Sequence, residues 1–485
     1  MTEQRWEIPS SWAWASMDEV SEIVGGGTPS AKDGSNFADE GIRWLTPADL
    51  TGYKETFISR GRRDLSEKGY RSSAARILPA GTVLFSSRAP IGYCAIASGE
   101  ISTNQGFKSF VLKGKISPEY IRHYLLASVD YAESKASGTT FMELSGGRAA
   151  ELSTPIAPLS EQRRIVAKID SLTGKSRRAR DHLDHIPRLV EKYKQAILAA
   201  AFRGDLTTDW RNSNEQTSGE RLRESLLSAR IGAERGKKLP AFDFAGAEHL
   251  PQLPASWVWM PVNALATKVV DGVHKKPEYI TSGVPFLTVK NLTAGPGISF
   301  QNCRHISESD HRDFIRRTHP EKGDILITKD GTLGVVRAVR TDVEFSIFVS
   351  LALVKPVDRS MADYLELAFQ SPAVQDQMGG VGSGLQHIHL TDLRKDFIPM
   401  APENERHEIV RRVDSAMKWI NRLAADSVSA RKLIDRLDQA VLAKAFKGEL
   451  VPQDPADEPA SSLLERIRAE RAAAPKAKRG RKKAA

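Results

Sequence analysis

PIAPLSEQRRIVAKID (Pro155–Asp170) is written again 244 residues later as PMAPENERHEIVRRVD (Pro399–Asp414), with seven of sixteen positions identical. Downstream, YKQAILAAAFRGDLT (Tyr193–Thr207) returns as LDQAVLAKAFKGELV (Leu437–Val451), with eight of fifteen identical. Working outward, IPSSWAW (Ile8–Trp14) matches LPASWVW (Leu253–Trp259), and GIRWLTPADL (Gly41–Leu50) matches GVPFLTVKNL (Gly283–Leu292). PAGTVLFSSRAPIG (Pro79–Gly92) matches PEKGDILITKDGTLG (Pro320–Gly334), and RIGAER (Arg230–Arg235) matches RIRAER (Arg466–Arg471). Matches in this order mark an internal duplication of a large unit.

Between the two matched blocks lies a helix. Ile165, Ile169, Leu172, Ser176, Ala179, Leu183, Ile186, Val190, Tyr193 and Ile197 step by four and three without a break. Adding 244 gives Ile409, Val413, Ala416, Ile420, Leu423, Ser427, Ala430, Ile434, Leu437 and Val441. An apolar period of 3.5 is a coiled-coil seam. Ser160 and Asn404 are the expected N-caps, and Gly204 and Gly448 the expected C-terminal stops. Pro187 lacks an N–H inside the first helix, which predicts a bend or break near His185.

The rest of each copy reads as a mixed α/β globule. Val83–Phe85, Tyr93–Ala97 and Phe107–Leu112 are the expected strands of copy one. Phe286–Val289, Asp324–Thr328 and Ile347–Val354 are those of copy two. Helices are expected at Pro118–Ser128 and Met361–Gln370. The boundaries are a globule over 1–158, a helix over 159–208, a linker with a short helix over 209–248, a globule over 249–402, a helix over 403–450, and a short helix with a basic tail over 451–485. Two such copies act as a covalent pseudo-dimer whose helices run antiparallel: a ruler with a reading head at each end, matched to the local two-fold symmetry of duplex DNA.

Composition narrows the function classes. The 485 residues carry 70 basic and 60 acidic groups, a net +10. Six of the basic groups lie in the tail PKAKRGRKKAA (Pro475–Ala485), a phosphate-attracting arm or a solubilising tail. The strongest apolar run, Phe345–Val354, is too short to span a bilayer. Cys94 and Cys303 cannot make a disulfide framework, and no secretory signal opens the chain, so a cytoplasmic location is expected.

At this point the chain resembles the specificity subunit of a type I restriction–modification system. The residues that carry the resemblance are the IPSSW and LPASW openings, the two PxAP-led helix starts, and the QAxLxxAFxGxL helix ends (Gln195–Leu206, Gln439–Leu450). GGGTPS (Gly25–Ser30) resembles the loop that opens such target recognition domains, and DGVHKKP (Asp271–Pro277) its alternative form. The resemblance implies an α/β protein with two target recognition domains separated by two long antiparallel coiled-coil helices. It implies that each domain reads one half of an asymmetric bipartite site in double-stranded DNA. It further implies two methylation subunits carrying S-adenosylmethionine, motor-nuclease restriction subunits using ATP and Mg2+, and no cofactor or catalytic centre in this chain.

Residue-level inspection agrees with a non-enzyme. Gly174-Lys175-Ser176 lacks the upstream glycine of a phosphate loop and lies on the helix. There is no Asn/Asp-Pro-Pro-Tyr/Phe methyltransferase motif. Glu133 and Lys135 have a nuclease-like spacing, but Asp130 is the only near acid upstream, and helix-surface charge is the simpler reading. His182 and His185 read as solvated. His387 and His389, with Gln386, Gly382 and Gly384, suit either a DNA-facing loop or an ordinary one; metal binding needs further ligands. Trp12, Trp14, Trp257 and Trp259 read as core anchors.

DNA contacts are expected from basic and amide side chains of the globules, because phosphate contacts position a protein while arginine and amide groups read base edges. The candidates are Lys32, Arg60, Arg62, Arg63, Arg71, Arg88 and Lys108 in copy one. In copy two they are His274, Lys275, Lys276, Lys290, Lys329, Gln386 and His387. Arg88 sits in a turn between two strands, and Lys329 holds the matching place. The seam residues singled out are Ile165, Ile169, Leu172, Leu183, Ile186, Val190 and Ile197, with Ile409, Val413, Ile420, Leu423, Ile434, Leu437 and Val441.

Overall fold

The computed structural model describes residues 3–138, 142–234, 239, 241–379 and 387–473. Gln386, with Gly382 and Gly384, and the basic tail lie outside the described residues. The chain forms two compact units, Met1–Asp184 with Val428–Ala485, and His185–Ser427.

The duplication is visible in the sheets. In the first unit, strands Ser21–Gly25, Phe107–Leu112, Val83–Ser87, Ile91–Ala97 and Phe57–Ile58 are neighbours in that order. The second unit repeats the first four as Ala266–Asp271, Leu351–Pro356, Ile325–Thr328 and Val336–Ala338. Each unit adds an antiparallel pair that closes the globule, Ala13–Ser16 with Ser153–Ile156 and Val258–Pro261 with Phe397–Met400. The stretch Ile347–Val354, expected as one strand, is two. Ser346–Ile347 pairs in parallel with Val284–Leu287, and Leu351–Pro356 joins the main sheet. The turn between them moves the chain from one sheet to the other.

In each unit one glycine allows a close crossing of the chain beside the main sheet. A Cβ on Gly26 would lie 2.1 Å from the Asn104 carbonyl oxygen, and one on Gly272 would lie 2.3 Å from that of Phe348. Gly27 N–H then donates to Thr103 O, and Val273 N–H to Ile347 O, both at 2.9 Å. The loops GGGTPS and DGVHKKP therefore leave their strands over equivalent crossings.

Each long helix, Leu159–Arg203 and Glu403–Phe446, starts in one unit and ends in the other. In the first unit, Ile165 and Ile169 share a core with Val441, Ala445 and Phe446, so the numbering runs in opposite directions on the two helices. In the second unit, Leu198, Ala201 and Phe202 share a core with Ile409 and Val413, again antiparallel. Phe446 meets Tyr120 edge-on at 5.3 Å, and Phe202 meets Tyr364 likewise at 5.3 Å. The tyrosine hydroxyls donate to Pro155 O at 2.8 Å and Pro399 O at 2.6 Å. Each globule is thus completed by the helix end of the other repeat. The short helices follow the same exchange. Ala460–Ala473 packs on the first globule, and Gly219–Ala233 on the second.

Three expectations are corrected. Both long helices begin one residue before Ser160 and Asn404, which lie in the first turn. The first-turn N–H groups of Gln162 and Arg406 donate to Pro158 O and Pro402 O, each at 2.9 Å. Pro187 does not break the first helix, which is continuous through it. A proline removes one backbone bond, while Arg180, two turns earlier, is tied to Asp435 at 2.8 Å and Asp438 at 2.7 Å. Leu423 and Leu437 are exposed at 43% and 55%, and the more buried positions beside them are Ala424 and Asp438. The departure is local to these two positions, since Ser427, Ala430, Ile434 and Val441 keep the 3.5-residue register on either side of them. Ile165, Ile169, Val190, Ile409, Val413, Ile420 and Val441 are buried, and Leu172, Leu183, Ile186, Ile197 and Ile434 half-buried. The helices stop where Gly204 and Gly448 adopt φ of +84° and +77°.

Candidate nucleic-acid interface

The strand arrangement gathers cations at the loop ends of each main sheet. In the first unit, Arg88 follows strand Val83–Ser87, and Lys108 lies on the neighbouring strand Phe107–Leu112. Their side chains converge on Glu143, at 3.4 Å and 3.3 Å. Lys108 is buried and also donates to Ser87 Oγ at 3.3 Å, so it acts inside this cluster. Arg88 is the member at the surface.

The other first-unit candidates ring a satellite of short strands. Arg60 pairs with buried Asp64 at 3.0 Å, Arg62 with Asp49 at 3.8 Å, and Arg71 with Glu67 at 3.5 Å. Lys32 is exposed. Arg63 differs from its neighbours. Its guanidinium lies over the ring of Phe37 at 3.8 Å, and Phe37 is tilted against buried Trp44.

In the second unit, Lys329 takes the place of Ser87 in the duplicated strand, one residue short of the Arg88 position expected from sequence. Val83 and Ile325 are the equivalent strand residues, so Asp330 falls where Arg88 does. Lys329 reaches Asp271 at 3.3 Å, and His274 lies 3.5 Å from the other oxygen of the same carboxylate. His387 bonds to Asp330, next in the chain to Lys329. The structure therefore brings His274, Lys329 and His387 together at one end of the sheet. Exposed Lys275 adjoins them in sequence.

Lys276 and Lys290 line a separate concavity of about 660 Å³ with Arg304, Asn302, Tyr279 and Phe348. None of its lining residues is acidic. Arg304 was not among the sequence candidates. Its counterpart in the duplication, Arg63, was the available signal.

Two kinds of acid sit behind these surfaces. Burial pushes the Glu161 carboxyl up from its usual range, against the Trp12 and Gln453 hydrogen bonds that lower it. Burial, with the nearby Asp392 charge, pushes Asp396 up to about 7. Both are internal. Trp12 and Trp257 donate to Glu161 and Glu405, while Trp259 donates to Pro251 O at 3.0 Å and Trp14 packs edge-on to Trp6. Among the described residues no group of three or more His, Cys, Asp or Glu is placed to hold a metal, and no helix is long and apolar enough to cross a membrane.

A family model for the type I restriction modification DNA specificity domain matches residues 9–182. The chain is 25% identical to the type I restriction enzyme MjaIX specificity subunit of Methanocaldococcus jannaschii, over 93% of this chain and 98% of that one. It is also 25% identical to the EcoBI specificity subunit of Escherichia coli, over 98% of this chain and 96% of that one. The solved HsdS subunit from Thermoanaerobacter tengcongensis shares the fold, with a TM-score of 0.56 at 19% identity over 93% of this chain and 100% of that chain.

Proposed function

We propose that this chain, a member of the type I restriction–modification specificity-subunit family, reads an asymmetric bipartite site in double-stranded DNA, one half with each globule. The observation that carries this reading is a contrast within the duplication. Four strands of the main sheet, the Tyr120 and Tyr364 anchors and the Phe446 and Phe202 helix ends repeat. The cationic loops around Arg88 and Lys329 do not: one cluster is Arg88, Lys108 and Glu143, the other Lys329, His274 and Asp271. A shared frame with different loops suits two half-sites of different sequence.

In this reading the antiparallel helices of 45 and 44 residues set the spacer. They also dock two methylation subunits. In support, each helix exposes an apolar pair at equivalent positions: Leu189 and Tyr193 on the first, Leu433 and Leu437 on the second, exposed by 46% to 61%. Pairs four residues apart share one helix face, and apolar side chains held in water favour burial by a partner. The methylation subunits carry S-adenosylmethionine, and motor-nuclease subunits joining the complex use ATP and Mg2+. This chain supplies recognition and assembly, without a catalytic centre, in the cytoplasm.

Exchanging the first globule, residues 1–158, for that of another family member tests the two-head reading. Only one half of the recognised sequence should change. A simultaneous change of both halves would defeat it.

A further inference from the structure

The satellite strands of the two units hold the same three-residue arrangement. In the second unit, strand Val284–Leu287 pairs with Arg304–Ile306 so that Arg304 lies opposite Phe286. The Arg304 guanidinium lies over Tyr279 at 4.3 Å, and Tyr279 is tilted 56° against Phe286 at 6.0 Å. In the first unit, the Ile42–Leu65 bridge puts Arg63 opposite Trp44 two residues on. Arg63 lies over Phe37 at 3.8 Å, and Phe37 is tilted 51° against Trp44 at 5.9 Å. Trp44 and Phe286 are buried, whereas both arginines are exposed.

Neither guanidinium has a carboxylate partner among the described residues, while Arg60, Arg62 and Arg71 beside Arg63 all have one. Stacking fixes the plane of a guanidinium and leaves its edge of N–H donors open. A fixed, open fork suits bidentate contact with guanine O6 and N7, whereas a phosphate can also be held by a point charge such as lysine. Around Arg304, the acid-free wall with Lys276 and Lys290 favours approach of the flanking phosphates.

We propose that Arg63 and Arg304 are paired base-reading residues, each recognising one guanine in its own half-site, with Phe37 and Tyr279 as the platforms that orient them. The assignment rests on the bipartite DNA reading above and extends it to individual side chains.

The test uses the full complex of this chain with its methylation subunits. Arg63→Gln and Arg304→Gln are compared with Arg63→Lys and Arg304→Lys, by mapping methylated motifs and by binding to duplexes at several salt concentrations. Arg304→Gln should relax one guanine position in one half-site, with about ten- to a hundredfold loss of discrimination there. Arg63→Gln should do the same in the other half. The lysine variants keep the charge but not the fork, so they should relax the same positions. Weaker binding to every sequence alike, with a salt slope shallower by about 0.9, would make the arginines phosphate contacts and overturn the assignment. An unchanged motif in all four variants would also overturn it while leaving the bipartite reading intact. A wild-type complex with no sequence preference would instead remove that reading, and this one with it.

Discussion

Trp257 donates its indole N–H to Glu405 Oε2 at 2.8 Å, which joins the opening of the second globule to the first turn of the second long helix. The same contact exists in the other repeat between Trp12 and Glu161 at 2.9 Å. The remaining oxygens take different partners: Glu405 Oε1 accepts from Thr207 at 2.7 Å and Arg211 at 3.0 Å, and Glu161 Oε1 accepts from Gln453 at 2.7 Å. Thr207 and Gln453 follow the helix that ends in each unit. One buried carboxylate therefore ties the start of one helix to the end of the other.

Glu405→Ala should be strongly destabilising. It leaves Trp257 and Thr207 without an acceptor and Arg211 without its counter-charge. Removing one partner of a buried charged network costs about 3–5 kcal/mol. A lower chemical-denaturation midpoint for Glu405→Ala than for Glu403→Ala, an exposed control in the same turn, checks this.

Asp396 should make the second globule less stable as pH rises. Its folded-state pKa of about 7 lies above the usual 3.8. The fold thus favours the protonated acid, an advantage complete below about pH 4 and lost as pH rises through 7. The copy-one position that matches it is Leu152, buried at 2%. Asp396→Leu should raise stability at pH 8 by about 2–3 kcal/mol and flatten its dependence between pH 5 and pH 8. Denaturant titrations at several pH values measure both effects. A variant as pH-dependent as the wild type would contradict the account.

The exposed apolar pairs should act one subunit at a time. Leu433→Asp with Leu437→Asp is expected to leave one methylation subunit bound instead of two, and Leu189→Asp with Tyr193→Asp to remove the other. Native mass spectrometry reads the stoichiometry. Two subunits retained in both double variants would place docking elsewhere.

Spacer length should follow helix length. Four residues inserted in each long helix, after Asp184 and after Ser427, add roughly 6 Å at 1.5 Å per residue. That is under two base pairs at about 3.4 Å each. The gap in the methylated motif should lengthen by one or two base pairs. An unchanged gap would count against the ruler.

Much of this framework was legible because duplication and periodicity are properties of sequence order. Strands such as Phe107–Leu112 and the stops at Gly204 and Gly448 follow from apolar runs and backbone preference. What escaped depends on tertiary partners. The exchange that sets Phe446 on Tyr120 and Phe202 on Tyr364 joins residues hundreds apart. The exposure of Leu423 and Leu437 depends on what packs opposite each turn of the helix, which an apolar period does not record. Lys108 read as a surface cation, yet Glu143 draws it inside. Arg304 could have been found by aligning Arg63-Asp64-Leu65-Ser66 with Arg304-His305-Ile306-Ser307, but only the aromatic ring beneath each arginine marks the pair.

The most direct measurement is a map of N6-methyladenine on host DNA after co-expression of this chain with its methylation subunit. The account predicts methylation at a single gapped motif, one adenine on each strand, with different sequences on the two sides of the gap. A stable complex that methylates an uninterrupted motif, or shows no preference for any duplex, would contradict it.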